Sequence, residues 1–376
     1  MQGRLLTRRD FVRSLGWGGL SIAGLLNAPA LSASESIVDA DEQQSLKDAA
    51  SHVMTFGSPY VTEDWRSTPH MHQQLKSNIQ EMSHGQIYVD IQDAGKAGVG
   101  VELTASVSHG TIDAALVSVS NLSRVAPELD ILNIPFWSAD NQSYLNLVTS
   151  KIWDQVIVDK IKSQNKIDVL FHYVVGPRTA TSVTLSGKTL RTPVDMNGEI
   201  FRVPASRTLQ LIYEMAGATP REVAWKRTSY AAREGYIDAL DPSIIGLYNG
   251  PDGLRNHLGV ISQIDSVHDG WVAVVNKVWL DALPRHLRLI VRDAAEKTFQ
   301  QHLLRTREVT QHCIGELARL GTTFYVPTEQ EREAWIDCCG PTKKQWDPIK
   351  KRLLGDTKTF ERLIEATQIN NGYDFL

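Results

Sequence analysis

Cysteine is scarce: Cys313, Cys338 and Cys339 are the only three in 376 residues. That is too few, and too clustered, for a disulfide framework or a four-ligand zinc site. Charge of one sign is not gathered anywhere. The 39 basic and 43 acidic side chains leave a formal net charge of −4, and without a long basic run nucleic acid is excluded as a partner. No segment after the first 34 residues is apolar enough for a membrane span, which needs about 20 such residues. The sequence also lacks HExxH, GxSxG, CxxC, a Walker loop and a Rossmann fingerprint, so the common hydrolase, redox and nucleotide chemistries have no carrier. Gly95, Gly98 and Gly100 do not have phosphate-loop spacing. What remains is an ordinary globular composition, 42% apolar and 22% charged, long enough for two or three lobes.

The N-terminus reads as an address. Thr7-Arg8-Arg9-Asp10-Phe11-Val12-Arg13 follows the twin-arginine export pattern, and no charge appears from Ser14 to Ser34. That stretch is only moderately apolar. Ala28-Pro29-Ala30 offers a small-x-small cleavage site, with Leu31-Ser32-Ala33 as a second choice. Residues 1–33 are therefore expected to be a signal peptide, the protein being exported, to the periplasm in a cell with two membranes. Cleavage after residue 30 leaves 35 basic and 42 acidic side chains.

Along the rest of the chain helical and strand patterns alternate. Residues 63–84 are helical in period and end at Ser83-His84-Gly85, which suits a C-cap. Gln86–Ile91 alternates like a strand, a Gly-rich turn leads into a helix over 101–109, and 112–117, 168–175, 199–203 and 271–275 read as further strands. Strands separated by helices predict an α/β protein with sheets covered on both faces. From Pro284 to Leu320 apolar residues keep helical spacing with one glycine and no further proline. Such a rod is about 55 Å long, enough to brace two lobes.

Three features invite chemistry. His70 and His72 point apart at i, i+2 on a helix, so they read as surface residues and not as a metal site. Cys338-Cys339 leaves a vicinal disulfide or pairing with Cys313 open, structural thiols being favoured. Arg178 follows the strand 168–175 across Gly176-Pro177, and Arg202 lies on the short strand Ile200–Val203. An arginine at the C-terminal mouth of a strand faces the crevice where α/β sheets bind ligands, and its fork matches a carboxylate. Trp225, Trp65, Phe136 and Trp137 are candidate walls.

The order of motifs resembles the TRAP-type solute-binding proteins of the dicarboxylate-binding (DctP) family, from about Ser51 to Gly340. Ser83–Val89, Gly98–Leu103 with His109–Asp113, Ala126–Glu128 with Leu132–Phe136, Asp195–Pro204, Ala216–Pro220 and Gly235–Ala239 are each similar to a family fragment. Asp195–Pro204, which resembles "d-l-k-G-x-k-x-R-v-p", is the most diagnostic.

The resemblance implies a two-lobe solute-binding fold with a hinge and a long helix spanning both lobes. Residues 40–175 with 266–300 would form one lobe, 176–265 with 301–360 the other, and 361–376 a tail. It implies that Arg202 receives a ligand carboxylate and that Arg178 is a second contact. Asp241 is a candidate ligand contact in the place of the family's acid, while Pro242-Ser243 follow in place of its Asn or Trp, which leaves metal-assisted binding of a keto acid open. The expectation is a binding protein without cofactor or metal, not an enzyme. As a monomer, it would capture a small organic acid and deliver it to TRAP permease subunits in the membrane. An exported enzyme and a ligand-sensing subunit are the alternatives.

Overall fold

The structure, a computed structural model, describes residues 4–6, 40–62 and 71–375. The strands among them are β1 (Arg4–Leu6), β2 (His52–Gly57), β3 (Ile87–Gln92), β4 (Ala114–Ser118), β5 (Ile167–Tyr173) and β6 (Ala180–Val183), followed by β7 (Ile200–Val203), β8 (Thr219–Glu222), β9 (Ala239–Leu240), β10 (Leu258–Ser262), β11 (Trp271–Asn276) and β12 (Thr323–Val326). They form two sheets. One has the order β3-β2-β4-β11-β5, the other β1-β12-β10-β6-β9-β7-β8. This is the mixed two-lobe α/β architecture that the sequence predicts.

Residue types explain the centres of both sheets. Ala-Ala-Leu-Val-Ser of β4 and Trp-Val-Ala-Val-Val-Asn of β11 are buried along their whole length, as strands covered on both faces must be. Short polar residues start many of the helices. Ser118, Asp140, Ser150, Ser206, Ser243 and Asn276 each accept a backbone N–H of the first turn, satisfying donors that have no intrahelical partner.

Two of the chain's passages between the sheets are short crossovers, Val174–Thr179 on the way out and Gln263–Gly270 on the way back. They run side by side. Pro177 bridges His268, Arg178 N–H donates to Val267 O at 2.6 Å and Asp269 N–H to Gly176 O at 3.0 Å. Gly270 sits where a Cβ would come within 2.8 Å of Val119 and 3.0 Å of Tyr144 Oη, so the return strand can pass only without a side chain.

The rod read from periodicity is one helix, Arg285–Arg319, with Pro284 as its N-cap. At 1.5 Å per residue it is about 52 Å long. Its buried residues run from Leu287 through Phe299 and Val309 to Leu317. The helix packs on His72–Met82 and β5 near one end and on Ile244–Tyr248 near the other, so it spans both lobes. The chain then returns. Asp347–Leu354 packs on Pro127–Asn133, and Lys358–Ala366 on Asn141–Val148.

Two sequence expectations change. The helix expected over 63–84 is His72–Met82 among the described residues. His72 is not a surface residue: it is buried with its ring edge-on to Phe56 at 5.6 Å, and burial lowers its pKa to about 4. Its partner in the sequence pattern, His70, lies outside the described residues. Cys338 and Cys339 are thiols, donating to the carbonyls of Met215 and Trp335. The twin-arginine segment also lies outside the described residues. Arg4–Leu6, within the expected signal, pair antiparallel with β12.

Candidate functional site

β7 runs parallel to both its neighbours, β8 and β9, and β2 parallel to β3 and β4. The C-terminal ends of β2, β4, β7, β8 and β9 converge on one crevice. Ligands of open α/β sheets bind in such crevices. From the five-stranded sheet come Tyr60, just past β2, Ser118 at the end of β4, and Trp271, paired with Ser118 across β11. From the other come Arg202, Pro204, Trp225 and Pro242. Arg178 and Asp269 belong to the two crossovers and lie between these walls.

Alternation along β7 sets the roles. Phe201 turns away and stacks on Tyr213 at 3.7 Å, so Arg202 faces the opposite side. Arg202 is 3% exposed. Its Nε and Nη2 donate to the Val223 carbonyl at 3.0 and 2.8 Å, and its Cζ lies 5.3 Å from the Trp225 ring centroid. One side chain thereby positions the loop after β8 and the aromatic wall it carries. Among the described residues Arg202 has no carboxylate in salt-bridge contact. Burial lowers its pKa to about 10, and Arg178 adds repulsion, against a partial through-space offset from Asp241 and Asp269. It stays a cation at neutral pH.

Arg178 is arranged differently. Its Nη1 meets Asp241 Oδ1 at 3.1 Å and its Nη2 meets Asp269 Oδ1 at 2.7 Å. Nη2 also donates to Ser120 Oγ at 3.3 Å. Burial works against its charge, but Asp269 and Asp241 outweigh that and raise its pKa. Asp269 is held from the other side by the Ser243 N–H and hydroxyl, at 3.0 and 2.9 Å. Burial pushes Asp241 above the usual carboxylate range, against the pull of both arginines. Two carboxylates thus face one guanidinium, while Arg202 nearby has none.

Of the residues expected from sequence, Arg202, Arg178 and Trp225 line the cavity together. Asp241 does not reach it; fully buried, it holds Arg178. Phe136 is also elsewhere, at φ 64° with the Arg332 guanidinium over its ring. Trp65 lies outside the described residues. Tyr60, Trp271, Asn121 and Asp269 were not singled out from sequence. Asp269 lies in the return crossover and Trp271 directly follows it, and no local pattern marks a crossover until its pairing with Gly176–Arg178 is known. Among the described residues no cluster of His, Cys, Asp and Glu has the makings of a metal site.

Two sheets joined by paired crossovers, with a crevice between them that carries two arginines among aromatic and proline side chains, define a two-lobe solute-binding protein. The chain belongs to the bacterial extracellular solute-binding protein family 7 (DctP), whose family model matches residues 62–347. That is a family of binding proteins, not of enzymes. The chain is 20% identical to the C4-dicarboxylate-binding protein of Bacillus subtilis over 89% of this chain and 94% of that protein. It is 23% identical to the 2,3-diketo-L-gulonate-binding periplasmic protein of Escherichia coli over 79% of this chain and 87% of that one. In fold it is similar to a TRAP periplasmic solute-binding protein from Haemophilus influenzae with bound L-gulonate, with TM-score 0.75, 18% identity, and coverage of 84% of this chain and 99% of the other. A likeness to one from Sulfurospirillum deleyianum with bound succinate has TM-score 0.72, 16% identity, and coverage of 85% and 99%.

Proposed function

We propose that this chain captures an organic acid by closing its lobes at the two crossovers, with Arg202 receiving the carboxylate, and hands it to membrane permease subunits of the TRAP type. The observation that carries the reading is Arg202 itself. A guanidinium taken from water with a carbonyl and an aromatic face beside it but no counter-charge in contact still carries a desolvation cost of several kcal/mol. A carboxylate arriving in the crevice supplies the missing charge and two acceptors in the matching plane. Burial is then what makes the interaction strong, because solvent no longer screens it. The relatives that bind C4-dicarboxylates, gulonate and related acids support a carboxylate as the recognised group.

The test is calorimetric titration of purified protein with a library of small carboxylates. Arg202→Ala should weaken a binding acid by about 2–5 kcal/mol, since the acid's charge is left buried and unpaired. Binding within twofold of wild type would refute the role. For delivery, deletion of the permease genes should abolish uptake of the same acid while leaving binding intact. Export through the twin-arginine route rests on Arg8-Arg9 and the uncharged stretch that follows. Replacing both arginines by lysine should leave the precursor in the cytoplasm, and normal export of that variant would show another route.

A further inference from the structure

The charges around the cavity can be counted, and the count selects among acids. This argument rests on the carboxylate reading above and deepens it. Arg178 is matched by Asp269 at 2.7 Å and by Asp241 behind it at 3.1 Å, so the two arginines and two carboxylates already balance, with both acids on Arg178. Arg202 alone is left to meet a ligand. Besides the Tyr60 hydroxyl and the indole N–H groups of Trp225 and Trp271, the uncharged polar side chains of the wall are Ser118 and Asn121, which are bonded to each other, with Asn121 Nδ2 donating to Ser118 Oγ at 2.7 Å. The rest of the lining is carbon-rich. Trp225 stands over Arg202 from one lobe, and from the other Tyr60 and Trp271 lie 5.0 Å apart between ring centroids.

We infer that the ligand is an aromatic monocarboxylate, its single charge on Arg202 and its ring held between Trp225 and the Tyr60–Trp271 pair. A second carboxylate would enter this wall without a cation of its own and beside Asp269, a like charge. A sugar acid would bury several hydroxyls against aromatic and proline carbon, where each unmade hydrogen bond lowers affinity. A flat ring, by contrast, finds aromatic faces on both sides. The unpartnered, buried Nε of Arg178 offers a second donor to the same carboxylate without adding a net charge.

The experiment is isothermal titration of the full mature chain with benzoate, phenylacetate and 3-phenylpropionate. The matched comparisons are 1,4-phenylenediacetate (a second charge), phenylacetamide (no charge), succinate and D-glucuronate. The best aromatic monoacid should bind at least tenfold more tightly than its diacid, than succinate and than glucuronate, and at least a hundredfold more tightly than the amide. Trp225→Ala should weaken it at least tenfold. Succinate or glucuronate binding as tightly as the best aromatic monoacid overturns the inference. If that binding is lost in Arg202→Ala, the carboxylate-receptor reading survives. A protein that binds none of these acids overturns both.

Discussion

Arg178 and Asp269 meet at 2.7 Å in the protein interior, each side chain 4% exposed and each on a different crossover between the sheets. The pair ties the outgoing chain to the returning chain. Removing Arg178 leaves Asp269 and Asp241 buried and unmatched, at about 3–5 kcal/mol, whereas removing Asp269 leaves Arg178 its second carboxylate, Asp241. Arg178→Met should lose about 3–5 kcal/mol in urea unfolding and Asp269→Ala about 1–3 kcal/mol. The double variant should lose less than the two losses added, by more than about 1 kcal/mol of coupling. A loss below about 1 kcal/mol in either single variant would mean that the contact is incidental to the fold.

Asp265, in the return crossover, has φ 49°, and burial raises its pKa to about 6, against the attraction of Arg332. A carboxylate whose pKa is higher folded than unfolded destabilises the fold when ionised. The penalty is present above about pH 6 and disappears as the pH falls toward its ordinary value. Asparagine keeps the shape, tolerates the left-handed backbone and carries no charge. Asp265→Asn should therefore gain on the order of 1 kcal/mol at pH 8 and nothing at pH 4. Denaturation midpoints across that range give the readout, and a gain that grows toward acid would refute the assignment.

Gly217 is the glycine of Ala216–Pro220, a stretch legible as a motif. It has φ 90°, and a Cβ there would lie 2.2 Å from Asn197 Oδ1. Both the backbone and the space exclude a side chain. Gly217→Ala should cost about 1–3 kcal/mol, seen as a lower melting temperature. An unchanged melt would mean that the turn before β8 re-forms without strain.

How much of this could be read in advance depends on distance along the chain. The long helix was legible because its period is local and its start is marked by Pro284. Arg202 was legible because strand, turn and proline sit within a few residues of it. Arg178 was found, but its partners were not: Asp269 comes close only after the chain has built most of the second sheet and returned. For the same reason Asp241 could be noticed as an acid but not placed behind Arg178. His72 was misread because helical spacing gives the relative direction of two side chains and says nothing of which faces a core. Tyr60 and Trp271 belong to the crevice through strand pairing, β11 against β4, and no single segment carries that information. The four-residue strands β6, β8 and β12 are too short to show a period.

Arg124 joins the lobes at the surface. It follows β4 on the five-stranded side, and its Nε donates to Ala205 O at 3.1 Å while its Nη2 pairs with Glu222 Oε2 at 3.0 Å, both on the other side. Its side chain is 50% exposed and that of Glu222 46%, so solvent screens the pair and its static worth is below about 1 kcal/mol. Opening the lobes nevertheless breaks all of it. Arg124→Ala should leave the melting temperature of the ligand-free protein nearly unchanged but speed release of the tightest-binding acid by about 3–10-fold, the rate equivalent of roughly 0.6–1.4 kcal/mol. Stopped-flow tryptophan fluorescence can follow this, since Trp225 and Trp271 line the cavity. The wild-type release rate should also rise with salt, which screens an exposed pair over a Debye length of about 8–10 Å, whereas the variant's should not. Equal salt dependence in the two proteins would show that this bridge does not hold the lobes together.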